Sequence, residues 1–210
     1  MDIFGGSWTG YMEKLERGFQ RISPEDTTVL LGDLSWALDL QEAQPDFAWI
    51  DRIPGRKIIL KGNHDYWWST AKKFYQFCVD NNFSEQYILN NNCYEYEDYA
   101  ICGTRGWFFE EERSGVHDEK VFKRELLRLE TSLKAAGDRP KLVFLHYPPR
   151  YKGYTCDPIL ELLYRYEVHQ CYYGHLHGAS HGLAMEGVWD GVEYHLVSAD
   201  KIQFQPVRVL

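Results

Sequence analysis

The tetrapeptide Gly62-Asn63-His64-Asp65 follows the apolar run Lys57-Ile58-Ile59-Leu60 and precedes three aromatics, Tyr66, Trp67 and Trp68. A buried strand that ends in Asn and His carries polar groups that cost free energy unless partners meet them there. By average residue usage such a tetrapeptide arises by chance on the order of once in a thousand chains of this length. The pattern recurs: Gly32-Asp33 closes Thr27 to Leu31, His146 closes Leu142-Val143-Phe144-Leu145, and Gly174-His175-Leu176-His177 closes Gln170 to Tyr173. Four apolar runs thus end in potential ligands, and the fold must either gather them or satisfy each one separately.

The stretches between these runs supply the rest of a scaffold. Tyr11, Leu15, Phe19 and Ile22 recur at helical spacing, so a helix is expected over about residues 9 to 22, stopped by Ser23-Pro24. Further helices are expected over about 41 to 53, from a cap at Ser69 to about 81, over 118 to 136 with Gly137 as the stop, and over 158 to 166. Strands are expected over 57 to 61, 87 to 89, and 93 to 97 paired with 99 to 102. A hairpin over 183 to 198 should turn at Asp190-Gly191, and a last strand should run from about Ile202 to Val209. Residues 103 to 117, with Gly103, Arg105, Gly106, Trp107 and an acidic run, suit an exposed loop or lid. Strands that first alternate with helices and then give way to a β-rich tail imply a layered α/β (α+β) sandwich. A single domain over residues 1–210 is expected, since 210 residues that are 44% hydrophobic suffice for one sizeable core.

Twenty-three Lys and Arg against 31 Asp and Glu leave a net charge of −8 with no basic run, which argues against broad binding of a nucleic acid backbone. The five cysteines (Cys78, Cys93, Cys102, Cys156 and Cys171) are odd in number and include no Cys-x-x-Cys pair. Neither a disulfide framework nor a zinc knuckle is indicated, and a reducing cytoplasm is the expected setting. No apolar run approaches the ~18 residues of a membrane span, and no leader pattern opens the chain, so a soluble protein without a membrane partner is expected.

In layered α/β proteins the carboxyl ends of the strands converge on one edge, where ligands bind. Asp33, Asn63, His146, His175 and His177 can therefore share a pocket despite their separation in sequence. Imidazole nitrogen with carboxylate and amide oxygen, and no sulfur, suits a borderline divalent ion such as Mn²⁺, Fe²⁺, Co²⁺ or Zn²⁺. A carboxylate can bridge two ions, and two ions roughly 3.5 to 4 Å apart clamp the attacking and leaving oxygens of a phosphoryl displacement. That arrangement suits phosphoester hydrolysis better than acyl or hydride transfer.

The motifs Gly32-Asp33, Gly62-Asn63-His64-Asp65, His146 and Gly174-His175-Leu176-His177, in this order and each after a strand, resemble the signature of the calcineurin-like metallophosphoesterase superfamily. The resemblance runs from about residue 27 to the C-terminus. It implies two packed mixed β-sheets flanked by helices, with a dinuclear site of Mn, Fe or Zn at their edge. It implies Asp33 as the bridging carboxylate, Asn63, His146 and His175 as ligands of the second ion, and His177 as a ligand of the first. His64 would contact the phosphate and stabilise the transition state or protonate the leaving oxygen, with Asp65 holding its ring. The nucleophile would be a metal-activated hydroxide attacking a small-molecule phosphate mono- or diester, with no covalent intermediate.

The family signature opens with a strand ending in Asp-x-His that binds the first ion, and nothing like it stands in this sequence. The expected explanation is a chain that starts at an internal Met and lacks the first strand. A single-metal variant and a non-catalytic interaction module on the same fold are the alternatives. Arg105 and Arg150 lie in loops expected to face the same edge, where either can hold a substrate phosphate; an exposed, solvated arginine is the plainer reading of each. Tyr66, Trp67, Trp68 and Trp107 can wall the pocket or pack in the core, and His117, His169, His181 and His195 belong to no motif.

Overall fold

Residues 5–107 and 116–210 are described by a computed structural model. The elements run α1 (Tyr11–Phe19), β1 (Thr27–Leu30), α2 (Gln44–Asp51), β2 (Arg56–Ile59), α3 (Ala71–Asn81), β3 (Gln86–Ile88), β4 (Cys93–Tyr96), β5 (Tyr99–Thr104) and α4 (Val116–Ala135). They continue with β6 (Lys141–Leu145), β7 (Arg150–Tyr151), β8 (Tyr154–Thr155), α5 (Asp157–Arg165), β9 (Gln170–Tyr173), β10 (Gly187–Trp189) and β11 (Val192–Leu196). Strands β1, β2 and β3 form a parallel sheet in that order. A second, mixed sheet has the order β10-β11-β9-β6-β5-β4, with parallel pairs at its centre and an antiparallel pair at each edge.

Alternation along the strands decides the layers, because successive side chains point to opposite faces. Ile58 and Leu60 pack with Ile101, Leu142, Phe144 and Tyr172 in a core between the two sheets. Ile59 faces the other way, onto Ala43, Phe47, Ile50, Phe74 and Cys78 of the α2 and α3 region. Val143, Leu145, Cys171 and Tyr173, the odd partners of the large sheet, bury against Leu129 and Leu133 of α4 and Ile159, Leu162 and Leu163 of α5. Strands apolar on both faces need a cover on both faces, so the result is helix, sheet, sheet, helix. This is the expected layered α/β sandwich of two packed sheets flanked by helices.

Register then aligns the strand ends. Leu30 pairs with Ile59, and Leu145 pairs with Tyr173, whose other partner is Leu196. The residues that follow β1, β2, β6 and β9 emerge at one edge, where Gly174 N donates to the His146 carbonyl. Among the described residues no strand precedes Thr27, and β1 pairs only with β2.

The helix over 69 to 81 is capped by Thr70, whose hydroxyl accepts from Lys73 N, and not by Ser69. The hairpin turns at Asp190-Gly191, both at positive φ as a tight two-residue turn requires. The expected strand over 202 to 209 does not form. Residues 198 to 205 instead coil through turns, with Ile202 N on Ser198 O and Phe204 N on Ala199 O, and Gln203 and Phe204 adopt left-handed backbone. The hydrophobic alternation there serves docking: Phe204 is buried against Trp8, and its carbonyl lies where a Cβ on Gly18 would stand. Of the loop or lid expected over 103 to 117, residues 108–115 lie outside the described residues, as does the start of the chain through residue 4.

Candidate metal centre

The candidate side chains Asp33, Asn63, His146 and His175 each sit just past a strand, and two glycines allow the first two of these loops to close on each other. A Cβ on Gly62 would lie 2.0 Å from Asp33 Oδ1, and one on Gly32 would lie 2.3 Å from Gly62 N, so the loops after β1 and β2 interlock through bare backbone. Asp33 and His175 both hold positive φ, at 55° and 70°. Strained backbone of this kind persists where surrounding bonds fix it, and here they do. The Asp65 carboxylate, fully buried, accepts from Gly62 N (2.7 Å), Asp33 N (2.8 Å), Leu34 N (2.9 Å), Ser35 N (3.3 Å) and Trp67 Nε1 (2.9 Å). Burial pushes its pKa up, and these donors pull the other way.

That set of donors corrects the expected role of Asp65. It does not hold the His64 ring; it ties the Asp33 loop to the Gly62 loop and thereby aims Asp33. The His64 imidazole instead stacks on Trp36, with ring centroids 4.6 Å apart, and its Nδ1 lies 3.2 Å from the Tyr66 hydroxyl. His64 N donates to Asp33 Oδ1 at 2.8 Å, which fixes the backbone of the two residues together. Sequence reasoning missed Trp36, a large exposed aromatic beside the motif; its closeness to Asp33 in sequence was the only signal.

Four donor atoms converge. One ligand atom each from Asp33, His146 and His175 lies within 4.8 Å of the others. Asn63 Oδ1 lies 2.7 Å from His146 Nε2 and 3.0 Å from His175 Nδ1, and Asp33 Oδ2 lies 3.5 Å from His146 Nε2. His146 Nδ1 is 2.8 Å from the Leu31 carbonyl. A carbonyl only accepts, so Nδ1 carries the proton and Nε2 turns its lone pair toward Asn63 and Asp33. Acceptors pointed at one another repel unless a cation stands among them, and this donor set fits a borderline divalent ion. Burial lowers the pKa of His146, and burial with the nearby imidazoles of His146, His177 and His64 brings that of His175 down to about 3. Both rings are thus neutral, as ligands must be, near neutral pH. Tyr147, also missed, packs edge-on against both, with centroids at 5.1 and 4.7 Å.

His177 stands outside this group. Its Nδ1 is 2.7 Å from Asp200 Oδ1, while Asp200 Oδ2 accepts from Gly178 N and lies 3.2 Å from His181 Nε2. Burial raises the Asp200 pKa, yet the hydrogen bonds from His177 and Gly178 outweigh it and hold the group below its ordinary value. Both arginines are half-buried and ion-paired. Arg105 reaches Glu125 (3.7 Å) and lies over the Tyr147 ring, close to the cluster. Arg150 pairs with Asp190 at 3.0 Å, in the turn before the amino end of β11. Since β11 runs parallel to β9, whose carboxyl end carries the site, the Arg150 guanidinium is directed to the far end. Trp67, Trp68 and Trp107 pack in the cores, and Tyr66 alone of the four aromatics is exposed.

A layered α/β sandwich with a carboxylate, an amide and two imidazoles at the edge where its sheets meet defines a metallophosphoesterase-type protein. The family model of the calcineurin-like phosphoesterases matches residues 2–179, and the chain belongs to that family. A solved structure, TT1561 of Thermus thermophilus, is 16% identical, with 79% of this chain covering 77% of that one at a TM-score of 0.48. Another, 10% identical, is matched by 90% of this chain over 85% of its own length at a TM-score of 0.55, a likeness of fold. No curated protein matches the chain. Among the described residues no helix is long and apolar enough to cross a membrane.

Proposed function

We propose that this chain hydrolyses a small-molecule phosphate mono- or diester with the help of a divalent transition metal ion, Mn, Fe or Zn. The observation that carries the reading is the convergence of Asp33, Asn63, His146 and His175 beside His64. Those four residues would hold a divalent ion, which when bound would polarise phosphoryl oxygens and lower the pKa of water. Asp33 and Asn63 are oriented through the Asp65 bonds, and His146 through Leu31 O. His64, half-buried between Trp36 and Tyr66, contacts the phosphate and delivers a proton to the leaving oxygen. Asp65 acts as a positioning residue. The buried or half-buried free cysteines and the net charge of −8 support a cytoplasmic enzyme that does not bind nucleic acid backbones.

Purified protein is expected to carry metal and to turn over 4-nitrophenyl phosphate or its bis-ester. His64→Ala should lower kcat by about 10²- to 10⁴-fold with the metal retained; full turnover in that variant removes His64 from the chemistry. A second reading, an interaction module with one structural ion, draws on one observation: His177 lies outside the donor group and is engaged by Asp200. Turnover by the wild type defeats it, and metal-loaded protein inert toward both esters defeats the hydrolase.

A further inference from the structure

Two exposed aromatics grip the imidazole that lies beside the donor cluster. Trp36 stacks on the His64 ring with centroids 4.6 Å apart and an interplanar angle of 25°, and the Tyr66 hydroxyl lies 3.2 Å from His64 Nδ1. Asp65, the next residue in the chain, spends both carboxylate oxygens on the Asp33 and Gly62 loops and on Trp67. Among the described residues no other acid pairs with the His64 ring.

Fixed backbone carries both aromatics to the ring. Tyr66 N donates to the His64 carbonyl at 2.9 Å, a three-residue turn that folds Tyr66 back beside His64, and His64 N donates to Asp33 Oδ1. Before Trp36, Ser35 N donates to Asp65 Oδ1 at 3.3 Å; after it, Ala37 N donates to Ser35 Oγ at 3.3 Å. Trp36 is 42% and Tyr66 54% exposed, so a core does not account for either, and replacing them does not empty one. A hydroxyl oxygen accepts from Nδ1–H in the imidazolium and in the neutral ring alike, so that bond survives loss of the proton on Nε2. We propose that Trp36 and Tyr66 are positioning residues that fix the plane and the tautomer of His64, with Nδ1–H on the Tyr66 oxygen and Nε2 left for the leaving oxygen. In that step the Nε2–H bond breaks as the leaving oxygen takes the proton, and the electron pair of the broken P–O bond stays on that oxygen. The step rests on the hydrolase reading; the grip on the ring does not.

Imidazole spectra and turnover test it together. In long-range proton–nitrogen correlation spectra the His64 signals are those missing from His64→Gln. Wild type should show the Nδ1–H tautomer and ring protons shifted upfield by the indole; Trp36→Leu should remove the shift, and Tyr66→Phe the tautomer preference. An Nε2–H tautomer or unshifted ring protons in wild type overturn the proposal and leave the hydrolase reading standing. In turnover, Trp36→Leu and Tyr66→Phe should each lower kcat on phenyl phosphate about tenfold with KM nearly unchanged. The loss should be smaller on 4-nitrophenyl phosphate, whose leaving oxygen needs the proton less. Trp36→Phe, which keeps a ring to stack, should stay close to wild type. Equal losses on the two esters mean a merely structural role and overturn the positioning of Nε2, as does a Trp36→Phe rate as low as that of Trp36→Leu. No turnover of either ester by wild type defeats the hydrolase reading, and the spectra then decide the grip on the ring.

Discussion

Gly62 shows how narrowly single residues are set at this site. An added methyl group would stand 2.0 Å from Asp33 Oδ1, which accepts from His64 N, and 2.4 Å from Asp33 N, which donates to Asp65, so neither yields cheaply. Gly62→Ala should destabilise the protein by about 1–3 kcal/mol in urea unfolding and abolish metal retention. Gly182→Ala, where a Cβ meets nothing within 4 Å, should be nearly silent in the same assay. The cysteines give a second residue-scale expectation. Burial pushes the Cys78 thiol up to about 11 and Cys102 up to about 12, from an ordinary 9.0, and raises Cys156 and Cys171 as well. The thiolate is the reactive form, so a disulfide reagent at pH 8 should leave these four untouched in folded protein, with only half-buried Cys93 accessible. A thiol with a raised folded pKa favours the folded state fully below pH 9, and that contribution is lost as pH rises toward the folded value, by about 1.4 kcal/mol per pH unit for each group. The urea midpoint should therefore fall between pH 9 and pH 11; a flat profile would show the thiols to be solvated.

At the scale of elements, α4 does the most to hold the large sheet in place. Its Leu129 and Leu133 are fully buried against Ala100, Cys102 and Val143, and Ser132 Oγ accepts from Gly103 N where the strand leaves the core. Leu133→Ala should cost about 2–5 kcal/mol by its loss of burial and the cavity left behind, read as a lower urea midpoint. If the cost is under about 0.5 kcal/mol, as for a surface change, the helix is not packed as described. This helix was legible from Val121, Phe122, Leu126, Leu129 and Leu133 at helical spacing, and the strand Gln170–Tyr173 from its apolar run between polar ends. The segment 202 to 209 was not legible. Ile202 and Phe204, two residues apart, suit a strand, but no neighbouring strand among the described residues offers a ladder, and Phe204 finds its burial against Trp8 and the backbone of α1 through a coil of turns.

For the whole molecule, donors supplied by four strand ends of two sheets would couple the binding of an ion to folding. An ion that binds only the folded donor set stabilises it by about 2.7 kcal/mol at one hundred times its Kd, which for a chain of this size raises Tm by about 5–10 °C. Adding Mn²⁺ or Zn²⁺ to EDTA-treated protein should give that shift, and Asp33→Asn should remove it; an undiminished shift in the variant places the ion elsewhere. That Asp33, Asn63, His146 and His175 gather at one edge was readable in the sequence, because Asp, Asn and His at the ends of apolar runs have few uses that repay their burial, and their order matched a family signature. The direction of side chains was not readable. Sequence spacing could not reveal that Asp65 serves the Asp33 backbone and leaves His64 to Trp36, or that Arg150 turns to the far end of the sheet. The sequence alone determined which residues are candidates, through local composition and the period of each strand. Tertiary structure alone decided which of them share a partner, because contacts between the ends of β1, β2, β6 and β9 depend on how two sheets pack and on register, and neither is written in any one segment.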